Sequence, residues 1–153
     1  MSDVRVGVVG AGQWGRNLLR NFHDLGALAA FCDVDPTVRA KVGRDYPAAT
    51  VYDDPDDLIA SRDIDAVVIA TPPSSHGALA ARALGNGNHV YVEKPVCLDV
   101  SEAVRLRDSA ERAKLTLMVG HLLLYHPAFR ALKELMDTGA LGNLRYVYSN
   151  RIN

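Results

Sequence analysis

Gly10-Ala11-Gly12-Gln13-Trp14-Gly15 has the spacing G-x-G-x-x-G, directly after an apolar run at 4–9 and directly before a segment of helical period. In that setting the first glycine permits a tight turn, the second lets backbone approach a pyrophosphate, and the third lets a helix pack closely. The helix N-terminus meanwhile offers N–H groups to the anion. A glycine turn that merely packs a helix would carry the same letters. Against it stands Asp33, which ends the next apolar run 23 positions after Gly10, near the offset at which a carboxylate holds a ribose 2′-hydroxyl. That carboxylate would repel a 2′-phosphate and no arginine immediately follows it, so NAD is favoured over NADP. Gly10, Gly12, Gln13, Trp14, Gly15 and Asp33 are the candidate dinucleotide residues, with Trp14 read as packing beneath the phosphate loop.

Two further clusters follow apolar runs of strand length. Thr71-Pro72-Pro73-Ser74-Ser75-His76 comes after 66–70 (AVVIA); its prolines fix a loop able to run under a cofactor, and Ser74 or Ser75 caps the next helix. Thr71, Pro72 and His76 are candidate cofactor contacts, and a rigid turn with a surface histidine is the alternative. Glu93-Lys94-Pro95 comes after 89–92 (HVYV). Two opposite charges and a proline at a strand end either form a solvated ion pair or place Lys94 for proton transfer, with Glu93 beside the cofactor.

These residues need a scaffold that gathers strand ends. Short apolar runs at 4–9, 28–32, 50–52, 66–70, 89–92 and 115–119 alternate with segments of helical period at 13–25, 36–44, 55–61, 75–84 and 101–113. Asp35 with Pro36, and Ser101, read as helix starts, and Gly-Asn-Gly at 85–87 as a helix stop. Continuous rather than alternating apolar strands, each linked by a helix, predict a doubly wound parallel α/β sheet of Rossmann type covered on both faces. Such sheets place ligands at the carboxyl ends of their strands, where all three clusters fall.

The pattern changes after 120. Residues 127–137 read as an amphipathic helix closed by Gly139, and 143–152 (NLRYVYSNRI) alternates as a half-buried antiparallel strand does. A strand there would present an open edge and promote self-association. The division expected is therefore 1–120 as the dinucleotide-binding domain, and 121–153 as a connecting helix and first strand of a truncated α+β domain. His126 reads as the residue before a helix start, and Tyr125 as a core residue.

In 153 residues, 17 Lys plus Arg balance 18 Asp plus Glu, leaving no basic field for nucleic acid or an anionic membrane. No apolar run approaches the roughly 20 residues of a membrane span, and no signal peptide is visible. Cys32 and Cys97 form no C-x-x-C or Cys/His cluster, so neither a disulfide framework nor a metal site is indicated and a reducing cytoplasm fits. Both read as small buried residues.

Taken together, G-A-G-Q-W-G at 10–15, Asp33, T-P-P-S-S-H at 71–76 and E-K-P at 93–95 resemble the Gfo/Idh/MocA family, the glucose-fructose oxidoreductase and inositol dehydrogenase group. The resemblance spans essentially the whole chain. It implies a Rossmann domain followed by an antiparallel α+β domain, hydride transfer between NAD and a carbinol carbon of a sugar or cyclitol, and Lys94 assisting the accompanying proton removal. A lysine whose pKa is lowered by burial or neighbouring positive charge would serve as such a base. G-H-L-L-L-Y-H-P at 120–127 and Y-S-N-R-I-N at 148–153 resemble more narrowly the UDP-N-acetylglucosamine or UDP-N-acetylglucosaminuronate 3-dehydrogenase branch, which serves cell-surface polysaccharide synthesis. On that resemblance His121 faces the nicotinamide and substrate and Arg151 approaches an anionic substrate group, whereas by itself Arg151 reads equally as part of a solvated strand face. The family's second catalytic element, an aspartate and histidine of the C-terminal domain, has no counterpart here.

The resemblance thus implies a nucleotide-sugar dehydrogenase, catalytically incomplete as these 153 residues and homo-oligomeric through its C-terminal domain. The alternatives are an inositol or aldose dehydrogenase of the same family and a non-catalytic NAD-binding regulatory module.

Overall fold

The computed structural model describes residues 4–150. The chain divides into two compact units, one through Gly120 and one from His121.

In the first unit, strands β1 (Val6–Val9), β2 (Leu28–Cys32), β3 (Thr50–Tyr52), β4 (Ala66–Ile69), β5 (His89–Val92) and β6 (Leu117–Val119) form one sheet. Their order is β3-β2-β1-β4-β5-β6, and every pair is parallel. The chain winds outward from β1 to β3 and then crosses back to β4, so β1 and β4 part at the switch point where open sheets bind ligands. The connecting helices are α1 (Gly15–Asp24), α2 (Pro36–Asp45), α3 (Pro55–Ala60), α4 (Pro73–Gly85) and α5 (Val100–Ala113).

Burial on both faces explains why the central strands β1 and β4 read as unbroken apolar runs, whereas β3 and β6 at the sheet edges stay partly exposed. Leu18, Leu19 and Val42 from α1 and α2 pack with Val6, Val8, Phe31 and Val68 on one face. Leu58, Leu79, Ala83, Leu106 and Ala110 from α3, α4 and α5 pack with Val9, Val67, Ile69 and Val92 on the other.

Helix starts differ from expectation where several polar residues compete. Ser101 does not cap α5; Asp99 does, its carboxylate accepting from Glu102 N at 2.8 Å while the Ser101 hydroxyl donates to the same oxygen. A carboxylate at the positive end of a helix gains from the dipole as well as from the bond. Neither Ser74 nor Ser75 caps α4. That helix opens two residues earlier at Pro73, whose missing N–H costs nothing in the first turn, and Ser75 Oγ donates back to Pro72 O. Helix α1 opens at Gly15, two residues after the expected 13, because Gln13 and Trp14 form the turn before it.

The second unit holds a 3-10 turn (Leu122–Tyr125) and α6 (Pro127–Asp137). His126 caps α6, its Nδ1 accepting from Ala128 N at 3.2 Å. The expected strand at 143–152 is absent over the described residues 143–150; a strand needs a ladder partner, and none of these residues finds one. Tyr125, read as core, is 55% exposed beneath the Arg130 guanidinium.

Candidate functional site

The turn from β1 into α1 shows why its glycines stand where they do. Gly10 has φ +93°, and a side chain there would lie 2.8 Å from Ala70 O. Its N–H donates to Cys32 O at 2.8 Å, which ties the turn to the end of β2. A Cβ at Gly15 would fall 1.9 Å from Gly10 O, so α1 starts in direct contact with the turn. Gly12 is different. Nothing lies within 4 Å of a Cβ built there, and the N–H groups of Gly12 and Gln13 make no hydrogen bond among the described residues. Open space beside free N–H donors at a helix start is what a diphosphate requires, and on that observation the residues fit NAD.

Asp33 is locked to the same turn. Its Oδ2 accepts from Ala11 N at 2.8 Å and its Oδ1 from Asp35 N at 2.9 Å, which leaves further lone pairs on both oxygens. Arg39, six residues on and not singled out in the sequence, donates from Nη1 to Asp33 O at 2.7 Å and Val34 O at 3.0 Å. One turn into α2, it reaches back over the loop and fixes its carbonyls. No local motif would have marked it.

Gly10, Gly12 and Asp33 border an open cleft of about 480 Å³ at the carboxyl ends of β1, β2 and β4. Of the residues expected from the sequence, Gly10, Gly12, Asp33, Thr71 and Pro72 line it. Cys32, Val34, Pro55, Ser74, Ser75, Leu79 and Arg82 line it as well. Helix packing brings in Pro55, Leu79 and Arg82, which no spacing rule connects to Gly10; Arg82 is held there by an ion pair to Asp56 at 2.9 Å. Burial, reinforced by the negative charge of Asp33 and Asp54, pushes the Cys32 thiol up to about 12. It stays protonated and serves as a small wall residue rather than a nucleophile.

The remaining expected residues are placed less simply. Gln13 is exposed beside the cleft, and Gly15 is buried beneath the turn. Trp14 does not pack beneath the phosphate loop; it is 44% exposed because the turn that delays α1 carries its ring outward. His76 does not line the cleft and is not a surface residue. It is 1% exposed, with Nδ1 at 2.7 Å from Pro95 O and Nε2 at 2.8 Å from Thr71 O. Glu93 and Lys94, both just past the end of β5, form no ion pair among the described residues. Glu93 is buried, and its Oε1 accepts from the Tyr91 hydroxyl at 3.1 Å beside Gly120, where a Cβ would meet both groups. Lys94 is exposed at the end of β5, followed by a cis peptide to Pro95. His121 is exposed at the start of the 3-10 turn of the second unit, and Arg151 lies outside the described residues.

Residues 4–121 match the model of an oxidoreductase family with an NAD-binding Rossmann fold, GFO_IDH_MocA. The chain belongs to this family, and NAD is the cofactor that its fold binds. It is 38% identical to a 1-carboxy-3-chloro-3,4-dihydroxycyclohexa-1,5-diene dehydrogenase of Comamonas testosteroni, over 95% of this chain and 37% of the relative. It is 33% identical to the UDP-N-acetylglucosamine 3-dehydrogenase of Acidithiobacillus ferrooxidans, over 99% of this chain and 46% of that protein. Among solved structures, the scyllo-inositol dehydrogenase of Lactobacillus casei with bound NAD(H) and scyllo-inositol superposes with a TM-score of 0.86 at 27% identity. That match covers 93% of this chain and 43% of the other. The chain therefore spans less than half the length of the curated relatives it matches. Among the described residues no helix is long and apolar enough to cross a membrane, and no cluster of three His, Cys, Asp or Glu could hold a metal ion.

Proposed function

We propose that residues 1–120 are the NAD-binding half of a dehydrogenase acting on a ring carbinol carbon of a sugar or nucleotide sugar. Residues 121–153 lead into its substrate-binding and oligomerisation domain. The observation that carries this reading is Asp33. Its carboxylate is locked to the phosphate turn through Ala11 N and keeps lone pairs for a ribose, above a turn whose Gly12 leaves room for a diphosphate. NAD, when bound, supplies the hydride acceptor. Lys94 receives the hydroxyl proton on Nζ as the C–H electron pair leaves the same carbon as hydride, and the carbinol becomes a carbonyl. Thr71 and Pro72 line the cofactor, Glu93 supports the β5 end, and His121 and Arg151 are assigned to the substrate by the family resemblance.

The relatives named above act on ring compounds, a dihydroxycyclohexadiene, an inositol and a UDP-sugar. The UDP-sugar relative and the motifs at 120–127 and 148–153 favour a nucleotide sugar of the UDP-N-acetylglucosaminuronate type. The inositol complex favours a cyclitol as the second reading. Two buried cysteines outside any disulfide agree with a cytoplasmic enzyme.

The test begins with calorimetric titration of this chain with NAD and NADP, repeated on Asp33→Ala. Preference for NAD, lost in the variant, is expected; equal affinity for both in the parent chain would refute the role of Asp33. For the protein that carries this chain, NADH formation is then followed with UDP-N-acetylglucosamine and with scyllo-inositol. Lys94→Ala is expected to lower turnover by orders of magnitude with NAD affinity nearly unchanged. NAD binding without turnover on either ring would point to a regulatory module instead.

A further inference from the structure

We propose that His76 is a positioning residue for Lys94: it bonds the carbonyl that follows Lys94 to the loop lining the dinucleotide cleft, and so holds the lysine's backbone in place. The proposal rests on the role given to Lys94 above.

Two carbonyl oxygens, which only accept, sit at 2.7 Å and 2.8 Å from the two ring nitrogens in a site 1% exposed, and a ring nitrogen that carries hydrogen donates to the carbonyl it faces. The two ends of this bridge are not equally dependent on it. On one side the Thr71 loop is held independently by Ala70 N donating to Val9 O, by the contact of Thr71 Oγ1 with Ser75 Oγ, and by Ser75 N and Oγ donating to Pro72 O. The other side has no such support. Proline brings no N–H, and among the described residues the Pro95 carbonyl bonds to His76 alone. Going outward from Lys94, the nearest other bonds are Glu93 N to Ile69 O and Cys97 Sγ to Asp99 O. Between Glu93 and Cys97 the bond to His76 is thus the one main-chain hydrogen bond among the described residues, beside the packing of Val96 against the core.

That imidazole stands on a firm base. It belongs to α4, whose Leu79, Ala80, Ala83 and Leu84 are all buried in the core under β4 and β5. A base on a long, exposed side chain is only as well placed as its Cα, and a shift of an ångström at a reacting group is costly. The T-P-P-S-S-H and E-K-P segments, separate in the sequence, become one mechanical unit through this contact.

The chain has four lysines, Lys41, Lys94, Lys114 and Lys133, so reductive carbon-13 dimethylation gives four lysine NMR signals beside that of the α-amine, with Lys94 assigned through Lys94→Arg. In the parent chain, saturating NAD is expected to shift the Lys94 signal. In His76→Leu, NAD affinity should stay within about threefold while the Lys94 response is lost; His76→Gln, which keeps an amide donor, should recover it. A full Lys94 response in His76→Leu overturns the proposal, as does failure of His76→Gln to recover any of it. If His76→Leu does not fold, His76→Asn, whose shorter amide reaches one carbonyl at most, takes its place and must show the same loss. Should Lys94 ignore NAD in the parent chain although calorimetry shows NAD bound, the placement of Lys94 at the cofactor fails first, and is distinguished from failure of His76 alone.

Discussion

Alanine at Gly15 would put a methyl carbon 1.9 Å from the Gly10 carbonyl oxygen and 2.8 Å from its carbon, with the Ala70 side chain behind at 3.6 Å. Alanine at Gly12 would touch nothing within 4 Å. The two substitutions should therefore separate folding from binding. At Gly15 the offending atoms are backbone, so relief requires α1 to move off the turn by about an ångström. Overpacking of this kind costs about 1–3 kcal/mol where side chains can yield, and here the upper end applies. For a chain of this size about 3 kcal/mol lowers Tm by roughly 6–12 °C. At Gly12 the folded chain should be unaffected, within about 0.5 kcal/mol, while a methyl group in the space meant for a diphosphate should weaken NAD at least tenfold, or about 1.4 kcal/mol. Thermal unfolding and calorimetric titration of both variants decide the matter. Gly15→Ala with an unchanged Tm would refute the close approach of α1 to the turn, and Gly12→Ala with full NAD affinity would place the diphosphate elsewhere.

Two further outcomes follow from ionisable groups. The Asp65 carboxyl accepts from Arg5 N and Nε and from Nη2, which lowers it from the ordinary carboxylate range to about 2. A pKa depressed by folding stabilises above the unfolded value and is lost as pH falls through the folded one. Urea midpoints should thus decline between about pH 4 and pH 2, and Asp65→Asn should flatten that decline; the same slope in both would refute the pairing. Cys32, its thiol pushed up to about 12 by burial, should resist iodoacetamide at about pH 8 in the folded chain. Mass analysis showing rapid alkylation of Cys32 would contradict the packing described around it.

What the sequence determined by itself was whatever depends on neighbours along the chain. Unbroken apolar runs at 28–32 and 66–70 give largely buried parallel strands, because burial on both faces leaves no polar alternation to disguise them. The glycine spacing at 10–15 and the position of Asp33 specified the turn and its carboxylate, because a tight turn and a close backbone approach demand particular residue types at particular offsets. Tertiary structure alone decided the contacts between segments far apart. His76 reads equally as a surface residue or a cofactor contact, and only the packing of α4 against the β5 end turns both its nitrogens onto protein carbonyls. Arg39 bonds the Asp33 carbonyl and Arg82 lines the cleft from helix faces whose direction no spacing rule encodes. Residues 143–150 alternate as a strand does and form none among the described residues, since alternation prepares a strand while only a hydrogen-bonding neighbour makes one.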